Sequence, residues 1–343
     1  SRVPAADMAM SRTNCATTHR DAESIAPPGV CYKRGAMRAK PSRTGHFFAA
    51  LCIAIGCHST VAVGSENGTR LPVIASFSII ADWLRMVGGD RVAVVSLVPA
   101  DADAHVFRAT PAHVRAVAAA KLIFVNGLGF EGWLQRLLTA TGHHAPVIVL
   151  SEGVALLETQ SGNFSGRPTS DPHAWHSVPN AMIYIDNITA ALCSTDPAGC
   201  RHYRERANTY TAELVDLDAQ IRARFASVPP SRRTVIASHD AFGYLAREYS
   251  VRFLAAQGSS TGTESAAGHI ADLITWAKQH RTPMFLENVA NPRLLQQIGR
   301  ETGYEPAARL YSDALSGEDG PAGTYLELMR YNAEVLVSAM RGE

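Results

Sequence analysis

The run Ser170-Asp171-Pro172-His173-Ala174-Trp175-His176 places two imidazoles between a glycine- and serine-containing gap and a long helical pattern. A neutral imidazole shuttles protons and is the commonest side-chain ligand for a transition metal. Three further residues occupy a related kind of position: His105 in the loop 99–107 after an apolar run at 92–97, His239 at the end of the run 234–238, and Asp313 just beyond the run 307–310. If these runs are parallel strands, all four residues lie outside carboxyl ends, where α/β sheets bind their ligands. Each also has an ordinary reading. His105 could bond Asp101 or Asp103, His239 could be a packed strand-end residue, Asp313 could cap a turn with Ser312, and His176 could stand in for His173.

Three neutral imidazoles and one carboxylate around a divalent ion make a closed N₃O shell of net charge about +1, which suits zinc. Manganese and iron(II) prefer more oxygen, and copper(I) would call for a thiolate. A filled shell favours carrying an ion over catalysis, since catalytic zinc keeps a position open for water. The competing expectation, a zinc-dependent hydrolase, needs that open position and a base such as Asp240 or Glu264. Ser238-His239-Asp240 spells a triad in consecutive residues, but neighbours on a strand point to opposite faces. Gly127-Leu128-Gly129-Phe130-Glu131-Gly132 spells a dinucleotide fingerprint, yet Glu131 would set a carboxylate where a pyrophosphate must dock. A tight turn explains the same residues.

The elements that must hold these side chains alternate short apolar runs with helical segments. Strands are expected at 73–77, 92–97, 122–125 and 147–150, with helices at 79–87, 112–119 and 131–141 between them. A polar stretch, 159–170, shows no periodicity and reads as a mobile loop. A helix from Pro179 to Leu192 precedes one from Arg201 to Ala226. In the latter, Tyr203, Ala207, Tyr210, Leu214, Leu217, Ile221 and Phe225 form one apolar stripe, long enough to join two lobes. Strands at 234–238, 251–255, 284–287 and 307–310 then alternate with helices at 241–249, 267–280 and 292–302, and a helix at 323–340 closes the chain. The pattern is α/β, with parallel sheets covered by helices.

The chain has 343 residues, 32 basic against 31 acidic, and 13 histidines, so its charge balance carries no footprint for nucleic acid. Residues 1–64 do not read as folded domain. Met37 opens a cationic run that leads into the apolar segment 47–56, the order of a secretory signal at 37–64, with lipidation at Cys57 as the alternative exit. In an exported chain Cys193 and Cys200 remain as a pair, separated by a turn, and read as a short-loop disulfide.

Several motifs taken together resemble one family: Asp103-Ala104-His105, NGLGFEGW at 126–133, DPHAW at 171–175, SHDAFGYLAREY at 238–249, GSSTGTE at 258–264 and LYSDAL at 310–315. They are similar to the metal-binding receptors of bacterial ABC importers, the cluster A-I or cluster 9 solute-binding proteins. The resemblance implies two pseudo-symmetric lobes, 65–199 and 229–343, joined by one rigid helix within 200–228, with the ion between them. It places the ligands at His105, His173, His239 and Asp313. It implies a monomeric periplasmic receptor that delivers Zn²⁺, or alternatively Mn²⁺, to an inner-membrane permease, with a metallochaperone as a further partner and surface adhesion as a rival role. Manganese members commonly carry glutamate where His239 stands, and the His-rich loop of many zinc members is reduced here to His143-His144.

Overall fold

The computed structural model describes residues 70–142, 145–159, 169–262 and 265–343. The expected signal at 37–64, Cys57, His143-His144, Glu264 and the middle of the 159–170 loop lie outside them. The first sheet is built on β1 (Leu71–Phe77), flanked by β2 (Val92–Val98) and β3 (Leu122–Val125), with β4 (Val147–Val149) at the edge. All pairings are parallel, in the order β2-β1-β3-β4. β1 is buried without interruption from Val73 to Phe77, because helices cover both faces of a parallel sheet.

Those helices are α1 (Ser78–Gly88), α2 (Pro111–Ala119) and α3 (Leu134–Thr141). α2 starts where the sequence signals it: Thr110 caps the amide of His113, the His113 ring accepts from the Thr110 amide, and Pro111 fills the first turn. α3 begins at Leu134, three residues later than the expected Glu131, because Glu131 turns back to bind the preceding loop. The ends of the expected mobile loop pair as a short antiparallel ladder, β5 (Glu158–Thr159) with β6 (Thr169–Ser170).

From there α4 (Val178–Thr195) and α5 (Cys200–Ala226) form a hairpin closed by the Cys193–Cys200 disulfide, whose Cα atoms are 4.4 Å apart. Asp196 organises the turn, accepting from Arg91, Tyr203 and the Gly199 amide. α5 runs about 40 Å at the rise of an α-helix. All seven residues of its predicted stripe are buried. It packs on α4 and α1 and, through Phe225 stacked on Tyr249, reaches the second half of the chain.

The second sheet uses β7 (Thr234–Ala237), β8 (Arg252–Ala255), β9 (Phe285–Glu287) and β10 (Ala308–Leu310), interleaved with α6 (Gly243–Tyr249), α7 (Ala267–His280) and α8 (Arg293–Thr302). β7 pairs β8 and β9 pairs β10, all parallel, and a bridge between Ile236 and Met284 joins the two pairs. The resulting order β8-β7-β9-β10 repeats that of the first sheet. α9 (Tyr325–Arg341), started by a Thr324–Glu327 capping box, returns to pack on α5 and α1. One large apolar core therefore extends from the first sheet through α4, α5 and α9 to β7. A small separate cluster, including Leu273, Met284 and Ile298, fills the outer side of the second sheet.

Candidate metal centre

The four predicted side chains converge. His105, His173, His239 and Asp313 each offer one ligand atom, and these atoms all lie within 4.8 Å of one another. The Nε2 atoms of His105 and His239 are 3.2 Å and 3.1 Å from Asp313 Oδ2, and His173 Nε2 is 3.8 Å from Oδ1. His105 keeps 7% of its side chain exposed, while the other three are fully buried, so His105 is the member of the cluster that reaches solvent. Asp313 carries two buried oxygens without a regular hydrogen bond, facing imidazoles. A buried carboxylate left in that state is costly unless a cation completes it.

Two of the four side chains, His173 and His239, are oriented by carboxylates behind them. Asp171 Oδ1 accepts from the His173 amide and lies 2.8 Å from the ring Nδ1. A carboxylate only accepts, so the ring proton sits on Nδ1 and Nε2 is free for an ion. Glu287, at the end of β9, does the same for His239: Oε2 is 2.6 Å from Nδ1, and Oε1 accepts from the His239 amide. The sequence reading missed both supporting roles. Asp171 sits inside a quoted motif, but Glu287 is 48 residues from its partner and becomes adjacent only through the pairing of β7 with the β9 strand.

Electrostatics follows from this packing. Burial alone would lower the His239 imidazole, but the Glu287 and Asp313 carboxylates outweigh it and hold it well above its ordinary value. Burial would raise Asp313, but His239, then His105 and His173, hold it well below the usual carboxylate range. His176 is different. Burial pushes it down to about 3, its ring lies 4.7 Å from Phe242, and it does not join the ligand cluster. The alternative in which it replaces His173 is set aside by this geometry.

A periplasmic zinc-uptake family, described as ZnuA, zinc-uptake complex component A, matches residues 73–339. The chain belongs to this family. It is 30% identical over 289 residues to the manganese-binding lipoprotein MntA of Halalkalibacterium halodurans, covering 84% of this chain and 94% of the relative. It is 31% identical over 276 residues to the iron-binding protein YfeA of Yersinia pestis, covering 79% and 87%. The structure of the periplasmic zinc-binding protein TroA from Treponema pallidum superimposes with a TM-score of 0.73 at 26% identity, covering 79% of this chain and 99% of that one. Members of the ZnuA family are solute-binding receptors of metal-importing ABC transporters and not enzymes.

The fingerprint at 127–132 is explained by the chain's own hydrogen bonds. Glu131 Oε1 accepts from the Asn126 amide and the Ser76 hydroxyl, and Oε2 accepts from the Gly127 amide. The amides that would cradle a phosphate are taken by the chain's own carboxylate. Gly127 and Gly129 adopt φ of 85° and 82°, which a turn of this kind requires of glycine. Of the remaining histidines, His113 completes the α2 cap, His269 lies 2.8 Å from the Ala255 carbonyl oxygen and His280 packs on Trp276. Among the described residues no helix is long and apolar enough to cross a membrane.

Proposed function

We propose that this receptor captures Zn²⁺ between its lobes with His105, His173, His239 and Asp313, and delivers it to an ABC permease in the inner membrane. The observation that carries the reading is the donor set. Three imidazole nitrogens and one buried carboxylate suit zinc, whereas manganese prefers a shell richer in oxygen. The carboxylates behind His173 and His239 strengthen both rings as donors, which again favours a borderline-soft ion. The lobes are 65–199 and 229–343, the linker helix lies within 200–228, and export proceeds through a signal at 37–64, with lipid attachment at Cys57 as the alternative anchoring.

The named relatives MntA and YfeA support a second reading, in which manganese or iron(II) is the cargo. Competition decides between them. Apo-protein titrated with Zn²⁺ and Mn²⁺ against a common chelator should bind zinc more tightly, and metal analysis of protein taken from its native compartment should find zinc. Equal or tighter manganese binding would overturn the zinc assignment, and a His173→Ala variant with unchanged zinc affinity would overturn the ligand set.

A further inference from the structure

We propose that Asp101 and Asp103 are positioning residues that tie the loop bearing His105 to the opposite lobe, so that the first-lobe ligand is held in place by the second. The inference rests on the four-ligand reading above. Asp101 adopts φ of 53°, a left-handed conformation that costs a non-glycine residue free energy and is kept where surrounding bonds hold it. Those bonds come from the second lobe. The Asp101 amide donates to the Leu315 carbonyl at 2.9 Å, the Gly317 amide donates to Oδ2 at 2.8 Å, and Asn288 Nδ2 donates to Oδ1 at 3.2 Å. Asn288 also accepts from the Ser312 amide and donates to the Ala314 carbonyl, the two residues flanking Asp313.

Asp103 makes the second tie. Its Oδ1 accepts from the His105 amide at 2.8 Å, and its Oδ2 accepts from the Thr261 hydroxyl at 2.6 Å. One carboxylate thus fixes the backbone of the ligand and reaches the other lobe at once. The loop's tie to its own lobe includes the bond from Trp133 Nε1 to the Ala104 carbonyl. The ends of the network are His105 and Asp313, whose ligand atoms stand 3.2 Å apart. The two lobes consequently share one register at the site: a displacement of the Asp313 segment is passed through Asn288 to Asp101, and His105 moves with it.

The test uses the mature chain and Zn²⁺ alone as the probe. Asp101→Gly removes the side-chain bonds while easing the backbone, so the fold survives. Thr261→Val removes the Asp103 bond without touching the loop. Each should weaken zinc binding about tenfold, within the usual range of coupling through shared networks, with the loss in the dissociation rate measured by stopped-flow transfer to a chelator. In a His105→Ala background Asp101→Gly should change nothing further, because its effect runs through that ligand. Unchanged affinity in both single variants, or the same tenfold loss with His105 already removed, would overturn the inference alone. If His105→Ala itself leaves zinc affinity intact, the ligand assignment falls and takes the inference with it.

Discussion

The two central strands carry nearly the same residues and end differently. β1 reads Val73-Ile74-Ala75-Ser76-Phe77, and β7 continues as Val235-Ile236-Ala237-Ser238-His239. The pairing registers align them, with Ile74 opposite Ile123 and Ile236 bridged to Met284. At the final position the first lobe has Phe77, packed on Phe130 and Trp175 at 5.1 Å and 5.0 Å, whereas the second has His239 beside Glu287 and Asp313. In the same register Asn126 occupies the position that Glu287 occupies in the second sheet: Asn126 accepts from the Tyr184 hydroxyl, and Glu287 backs the His239 ring. One lobe uses its strand end to build a wall, and the other uses it to supply a donor. The first lobe's members of the four-residue cluster, His105 and His173, stand on loops instead.

The largest effect should come from erasing that difference. His239→Phe makes the second strand end like the first, removes one of the four converging side chains and leaves Glu287 Oε2 buried without the imidazole it faces, although the backbone amide at 239 still reaches Oε1. Zinc affinity should fall by about a thousandfold or more, and stability by roughly 3 kcal/mol, the cost of an uncompensated buried charge. Calorimetry and chemical denaturation would measure the two losses, and Glu287→Gln in the same chain should restore part of the stability. An affinity within tenfold of the parent would show that the strand-end contrast is not what makes the site.

Acid should act on the same residue. The Glu287 and Asp313 carboxylates hold His239 well above its ordinary value, so protons compete with the ion for this ring. Zinc binding should release about one proton per ion from His239 and weaken as pH falls, since the ion then competes with more protons. Titration in buffers of different ionisation enthalpy reads the proton count, and no release at neutral pH would contradict the assignment. Asp313 stays ionised well below the usual carboxylate range and should not limit binding in mildly acidic solution.

Away from the cleft, replacing Cys193 and Cys200 by alanine should lower stability by about 2 kcal/mol through the short loop they close, with zinc affinity unchanged. A matching loss of affinity would mean that the α4–α5 turn reaches the site. The smallest contrast lies one residue before the strand ends. Ser76 donates to the buried Glu131 at 2.8 Å, whereas the Ser238 hydroxyl is buried without a hydrogen-bond partner. Ser76→Ala should cost about 1–2 kcal/mol and Ser238→Ala close to nothing, the asymmetry expected when one hydroxyl serves a carboxylate and the other serves no one. Equal costs would argue against a functional divergence of the two strands.

Much of this was legible in the chain. Turn signals and apolar runs located the major strands, and the strand-end rule picked out four side chains that the structure brings within 4.8 Å of one another. α5 was legible for a simple reason: seven apolar residues at steps of three and four admit one buried face. What escaped was whatever depends on register across the chain. Glu287 supports a ligand only after two strands pair, Asp101 reaches Gly317 only after the lobes meet, and β5 with β6 is too short to show alternation. Glu131 was read as an obstacle to a phosphate, and the structure shows it as the occupant of that turn.

The wall formed by Phe77, Phe130 and Trp175 has a consequence for hydration. Phe130 stands 4.8 Å from the His105 ring and 6.1 Å from His173, and Trp175 stands 5.3 Å from His173. These ring faces offer no oxygen to a water that an incoming ion tries to keep. Mg²⁺ dehydrates reluctantly and prefers oxygen ligands, so a site walled on this side by buried aromatic rings should hold it poorly, and a Mg²⁺ titration that matched Zn²⁺ would contradict this.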